Sequence, residues 1–196
     1  ALSLAAANIK IPEQMQAKDI LAKHHRPRTA VFAARDRCDE TVDHMRSVRT
    51  SQFKYIRNFL PNRPYLQPCA YKDAKAILKA VRAEHQAGKL NDIQKLVVRE
   101  IRPPEELYDV NADPHEIRNL ANDPKFKDKL TELRARLDTW MEETKDVGRQ
   151  TESAEMFDSD MAVYVNGLKA RRRDPAHTKS IENNIALMRR WAAEGK

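Results

Sequence analysis

Apolar residues recur along this chain in blocks whose spacing differs from stretch to stretch, and the spacing marks the elements. The clearest block is Phe126, Leu130, Leu133, Leu137, Trp140 and Met141. Steps of four, three, four, three and one put all six on one face of a helix. Asp123 supplies an N-cap, Pro124 the first helical position, and the pattern carries the helix to about Thr144. Charged residues fill the opposite face. Gross burial of the stripe is worth roughly 10 kcal/mol, at about 1.5–3 kcal/mol per large side chain. Just upstream, Glu105 to Val110 reads as a short strand. Asp113, Pro114 and Glu116 then repeat the cap signature and predict a second, short helix.

Elsewhere the period is two. Thr29 to Ala34 reads as a buried strand, followed by a dense charged loop from Arg35 to Glu40. Met45–Thr50 and Phe53–Asn58 are β-rich runs joined by Ser51-Gln52, which predicts a hairpin. With Glu105–Val110 this makes about four strands in a small antiparallel sheet, packed by the long amphipathic helix and accompanied by peripheral helices. The expected class is α+β. Residues 60–72 contain three prolines and predict a loop. Asp73 to Ala87 predicts a helix with Ile77, Leu78, Val81 and His85 on one face, ended by Gly88. Asn91 to Glu100 predicts a shorter helix carrying Ile93, Leu96 and Val97, stopped by Pro103-Pro104. Ser159 or Asp160 could cap a helix carrying Met161, Val165 and Leu168. Thr178 could cap the last helix, with Ile181, Ile185, Met188 and Trp191 as its stripe and Leu187 near the edge.

Composition sharpens the picture only in places. Of 196 residues, 41% are hydrophobic and 33% charged, so the chain is globular but polar, with a modest core. Lysine and arginine number 36 against 29 acidic residues, a net charge of +7. That balance favours an anionic partner, such as nucleic acid, an anionic membrane surface or a sulfated sugar, or it is simply a solvated basic surface. Only Arg171-Arg172-Arg173 concentrates it. No run of 18 apolar residues exists, so no membrane span is expected. Cys38 and Cys69 are too few for a disulfide scaffold. They could pair or stand as two free thiols.

The wording of the strand and long helix says more. Leu107, Tyr108, Asp109, Asp113, Pro114, Glu116, Asn119, Leu120 and Ala121 form the spaced pattern L-Y-D-x-x-x-D-P-x-E-x-x-N-L-A. D-P-x-F and L-x-x-L-x-x-x-L-x-x-W follow it. This resembles the C-terminal subdomain of type I, formylglycine-dependent sulfatases, in the group that includes heparan N-sulfatase and bacterial arylsulfatase-like enzymes. M-R-S-V-R-T with K-Y-I-R-N-F is similar to the sheet of the same subdomain. Near the start, Ala7, Ile9, Pro12, Gln16 and Ile20 follow the outline of the end of the family's catalytic domain, with Asn8 and Ala17 where glycines are usual. The resemblance implies three parts. Residues 1–28 are the end of a catalytic-domain helix and a connector, with adjacent histidines at 24 and 25 that read as solvated. Residues 29–146 are the subdomain, with a helical insert at 73–100. Residues 147–196 are a helical extension that wraps back onto the parent enzyme.

In sulfatases a formylglycine, made from the Cys or Ser of C-x-[PA]-x-R, attacks sulfur while calcium and basic groups hold the sulfate oxygens. Here Cys38 reads C-D-E-T-V and Cys69 reads C-A-Y-K-D, so neither fits. The resemblance therefore implies a segment inactive alone. Calcium and formylglycine are expected in a missing N-terminal catalytic domain, which is its partner together with a sulfated carbohydrate. No catalytic residue or metal ligand is expected in this chain. The candidate substrate-binding residues are Arg35, Asp36, Arg37, Asp39, Glu40 and Arg46, which the resemblance places at the rim of the cleft. Arginine can hold a sulfate in two-pronged fashion and carboxylates can accept from sugar hydroxyls; the alternative is an internal ion-pair network. Family members are commonly exported or lysosomal.

Other constellations fail. Asp109-x-Asn111-x-Asp113 begins like an EF-hand loop, but Pro114 stands at position six and Leu120 at position twelve. His115-Glu116 lacks the second histidine of a zinc-protease helix. Glu40 and His44 would face each other on a helical turn, most simply as a surface pair. A basic helical module for nucleic acid or for another protein is the competing reading. No helix-turn-helix, zinc or RNA-recognition motif supports the first, so no nucleic-acid partner is expected.

Overall fold

A computed structural model describes residues 1–15, 17–148 and 150–196; Gln16, part of the family outline, lies outside the described residues. In chain order the elements are α1 (Leu2–Ala6), β1 (Val31–Cys38), β2 (Thr41–Arg49), β3 (Phe53–Asn58), α2 (Ala70–Asp73), α3 (Ala76–Gln86), α4 (Asp92–Lys95), β4 (Glu105–Asp109), α5 (Lys127–Glu143), α6 (Ala154–Ala170) and α7 (Pro175–Ala193). The strands form a four-stranded antiparallel sheet in the order β1-β2-β3-β4. The class is α+β. Among the described residues no helix is long and apolar enough to cross a membrane.

The α5 stripe packs as its spacing requires. Leu130, Leu133, Leu137 and Met141 are buried against Val48, Tyr55 and Leu107 of the sheet, with Phe126 and Trp140 at the margin. Phe32 of β1 stacks on Trp140 at 5.0 Å. Polar clamps fix the helix direction. Arg57 of β3 donates two bonds to Asp138, and the Tyr55 hydroxyl and Arg134 both donate to Glu105. Burial and then the Glu105 carboxylate push the Tyr55 phenol up to about 12. A second core joins α6 to α7. Phe157, Met161, Ile181, Ile185 and Met188 meet there, reaching Val42 of β2 and Ala70 of α2.

The spaced motif proves to be scaffolding. Asn119 Oδ1 accepts from the backbone N–H of Leu107 (2.9 Å) and of Ala121 (3.0 Å), while its Nδ2 donates to the Glu105 carbonyl. Asp109 Oδ1 accepts from the N–H groups of Asn111 and Ala112. Leu107 and Leu120 are core residues.

Several expectations need correction. Asp113 caps no helix. Its Oδ2 accepts from the N–H groups of Ile117 and Arg118 at 2.7 and 2.8 Å. The chain turns instead through Glu116 at φ 54°, where Glu116 accepts from Lys54. Arg35 to Cys38 are strand, not loop, and β2 starts at Thr41 rather than Met45. The β1 edge is not buried either: Val31 is 52% exposed. α6 starts earlier than expected because Ser153 caps it, and α7 because Asp174 caps it ahead of Pro175. Thr178 lies within α7, where its hydroxyl donates to the Asp174 carbonyl. Ile77 of α3 faces solvent at 70% exposure, leaving Leu78 and Val81 half-buried. The segment after Asn91 is helical only to Lys95 and then narrows to a 3-10 turn at Leu96–Val98.

Candidate functional site

The charged run that reads as a loop is the second half of β1 and the turn into β2. Register slips by one between Arg35, which faces Met45, and Arg37, which faces Val42, so that Asp36 of β1 stands opposite two residues of β2, Asp43 and His44. Such an irregularity re-aims a side chain. Here it brings the Asp36 carboxylate to Arg46 on β2, which donates to it at 2.6 Å. Arg46 also donates from Nε and Nη2 to the two oxygens of Asp146, at 2.7 and 2.9 Å. Its Nη1 reaches the carbonyls of Met45 (2.9 Å) and Arg35 (3.3 Å). The Arg46 side chain is 3% exposed. The chain turns tightly over it. Gly148 N–H donates to Asp146 Oδ1 at 2.6 Å, and a Cβ at Gly148 would lie 2.0 Å from Arg46 Nη2. Only glycine can stand there without expelling the guanidinium. His44 Nδ1 lies 3.2 Å from the Gly148 carbonyl oxygen and 3.6 Å from Asp36.

Asp36, His44, Arg46 and Gly148 line a cavity of about 500 Å³ together with Arg37, Thr151 and Glu152. Arg37 donates to Asp160 (2.6 Å) and Glu152 (3.3 Å), with 28% of its side chain exposed. The two arginines therefore differ. Arg46 has spent its N–H groups inside the protein and orders the wall. Arg37 is held by carboxylates at the mouth, one of them 55% exposed, and can exchange a partner for an incoming anion.

The other candidates lie elsewhere. Arg35 Nε sits 3.6 Å from Asp43. Asp39 is an exposed residue of the hairpin turn at φ 51°. Glu40 is fully buried, and its Oε1 accepts from Ala70 N–H and Asn184 Nδ2, both at 2.7 Å. So Asp36, Arg37 and Arg46 come together, and Arg35, Asp39 and Glu40 do not join them. Glu40 lies in the turn just before β2 and His44 within β2, so they do not share a helical turn. His44, Asp146 and Gly148 carried no sequence signal beyond a rare glycine past a helix end.

Arg46 and the Gly148 N–H hold the Asp146 carboxyl below the ordinary 3.8, against the opposing effect of burial. A carboxyl lowered in the folded state stabilises above its unfolded value, and that contribution is lost as pH falls. Stability should therefore drop below about pH 4, and Asp146→Asn should remove part of that acid dependence. Thermal melts from about pH 7 to 3 would show it. A variant curve parallel to the parent would refute the assignment.

Calcium does not fit the residues present. The family's ion needs a cage of oxygens. Among the described residues, the one group of three or more His, Cys, Asp or Glu donors within reach of a single ion is Cys38, Asp39 and Cys69, with a single carboxylate.

No protein-family model matches the chain. Over 133 residues it is 39% identical to an ulvan-active sulfatase of Formosa agariphila, a match covering 67% of this chain and 22% of that protein. The chain is homologous to a segment of sulfatases. It is also 32% identical over 124 residues to human N-sulphoglucosamine sulphohydrolase, covering 59% of this chain and 23% of that enzyme. A solved 2-O GAG sulfatase shares the fold at a TM-score of 0.50 and 21% identity, over 79% of this chain and 26% of its own. The chain thus spans less than a quarter of the curated sulfatases it matches.

Proposed function

We propose that this chain is the C-terminal subdomain of a sulfatase that hydrolyses sulfate groups on a sulfated glycan. Residues 29–146 are the subdomain proper, 147–196 a helical extension, and 1–28 the end of the catalytic domain. The 39% identity over 133 residues carries this reading. The formylglycine nucleophile and its calcium belong to the rest of the enzyme, since neither Cys38 nor Cys69 has the maturation motif. The segment contributes stability and part of the cleft rim. There the Arg37 guanidinium meets a sulfate or uronate carboxylate, while Arg46 with Asp36 and Asp146 positions the wall behind it.

The test is release of inorganic sulfate by the full-length protein from ulvan and from N- and O-sulfated glycosaminoglycans. Activity on at least one is expected, and none from the 196-residue segment alone. Arg37→Ala should raise KM about tenfold, the worth of one charge-assisted bond, with kcat nearly unchanged. No sulfate release from any substrate would sink the sulfatase reading. An unchanged KM would remove Arg37 from the rim.

A further inference from the structure

Away from the Arg46 cavity, the tip of the β1–β2 hairpin meets the start of α2. Cys38, Asp39 and Cys69 converge there, with one donor atom of each within 4.8 Å of the other two. Both thiols are free; Cys69 is buried and Cys38 half-buried. The place is built from fixed parts. Thr41 Oγ1 donates to the Pro68 carbonyl at 2.6 Å, Ala70 N–H to Glu40 Oε1 at 2.7 Å, and Cys69 N–H to Asp73 Oδ2 at 3.0 Å. These bonds tie the hairpin turn to the residues flanking Cys69 without any ligand.

A second observation also favours a cation here. Glu40, between Asp39 and the strand, is fully buried, and its Oε2 has no hydrogen-bond partner. Among the described residues neither Asp39 nor Glu40 is in an ion pair, and Arg37 is already engaged with Glu152 and Asp160. A buried carboxylate without compensating charge is costly. Two sulfurs and a carboxylate oxygen beside it suit a borderline-soft ion and not calcium or magnesium.

We infer that Cys38, Cys69 and Asp39 bind a thiophilic divalent cation of the zinc class, with the Glu40 carboxylate supplying charge behind it. Each thiol gives its proton to solvent as its sulfur bonds the metal, so two protons leave per ion bound. The ion cross-links the hairpin turn to α2, and hence to α7 through the Asn184–Glu40 bond.

The experiment is a cobalt(II) titration of the full chain, reduced and freed of metal. A thiolate-to-cobalt charge-transfer absorption is expected, saturating at one cobalt per chain and abolished by added zinc. Oxygen-ligand sites elsewhere in the enzyme give no such band. Cys38→Ser and Cys69→Ser should each remove it, and Asp39→Asn should weaken cobalt binding by at least about tenfold. Cys38 is half-buried, so its variant keeps the test valid if the buried Cys69 variant fails to fold. Absence of the band in the reduced parent, or its survival in both serine variants, would overturn the assignment. So would a peptide map showing Cys38 disulfide-bonded to Cys69 in protein purified without reductant. None of these outcomes bears on sulfate release, so the sulfatase reading stands or falls separately.

Discussion

Asp43→Ala is expected to lower the unfolding free energy by about 3–5 kcal/mol, the range for breaking a buried ion pair from one side. Asp43 of β2 is fully buried, and so, at 1% side-chain exposure, is Arg102. The two meet through two bonds, Nη2 to Oδ1 at 2.7 Å and Nη1 to Oδ2 at 3.1 Å. Arg102 also donates to the Leu60 carbonyl at 2.8 Å and lies over the Tyr65 ring. Removing the carboxylate leaves a guanidinium in the interior with one carbonyl, a sulfur contact at Met45 and an Nε that already lacks a partner. The His44 N–H loses its acceptor too. Urea unfolding measures the loss. The double variant Asp43→Leu with Arg102→Met should recover most of it, because replacing both charges removes the desolvation cost along with the attraction. A single-variant loss below about 1 kcal/mol, the worth of an exposed pair, would contradict the burial described.

Leu133→Ala should cost about 2–5 kcal/mol, the transfer free energy of the lost side chain plus the cavity it leaves. Leu133 is fully buried in the middle of α5, among Val48, Tyr55, Leu107 and Leu137. The helix is fastened at its flanks by Arg57–Asp138 and Arg134–Glu105, so it cannot easily sink to close the gap. The control is Ile77→Ala on α3. Its side chain is 70% exposed, and the change should stay within about 0.5 kcal/mol. Equal losses in the two variants would mean that α5 is not the element that seals the sheet.

Much of this architecture is readable before any coordinates. The α5 stripe, the Asp123-Pro124 start, the β2–β3 hairpin and the C-terminal stripe of Ile181, Ile185 and Met188 stand where spacing and caps put them. Those signals act within a turn or two of chain, so a local reading suffices. The errors are equally local in origin. Asp113-Pro114 carries the same cap signature as Asp123-Pro124. No apolar stripe follows it, and its acceptor oxygen serves a turn instead. β2 shows no clean alternation, because residues 41–44 are buried on both faces, between the α6–α7 pair and the segment carrying Arg102.

By itself the sequence determined the class of fold, the identity of the sheet-covering helix and the likeness to sulfatases. Periodicity, caps and spaced scaffold residues such as Asn119 and Leu107 are properties of neighbours along the chain. Which charges serve which purpose was decided only by the tertiary structure. Arg35, Asp36, Arg37, Asp39 and Glu40 are consecutive or nearly so. A slip in strand register sends Asp36 to Arg46, leaves Arg37 at the cavity mouth, buries Glu40 and sets Asp39 beside two cysteines. The partner that saturates Arg46 is 100 residues away, at the far end of α5, and no pattern of nearby residues encodes that meeting.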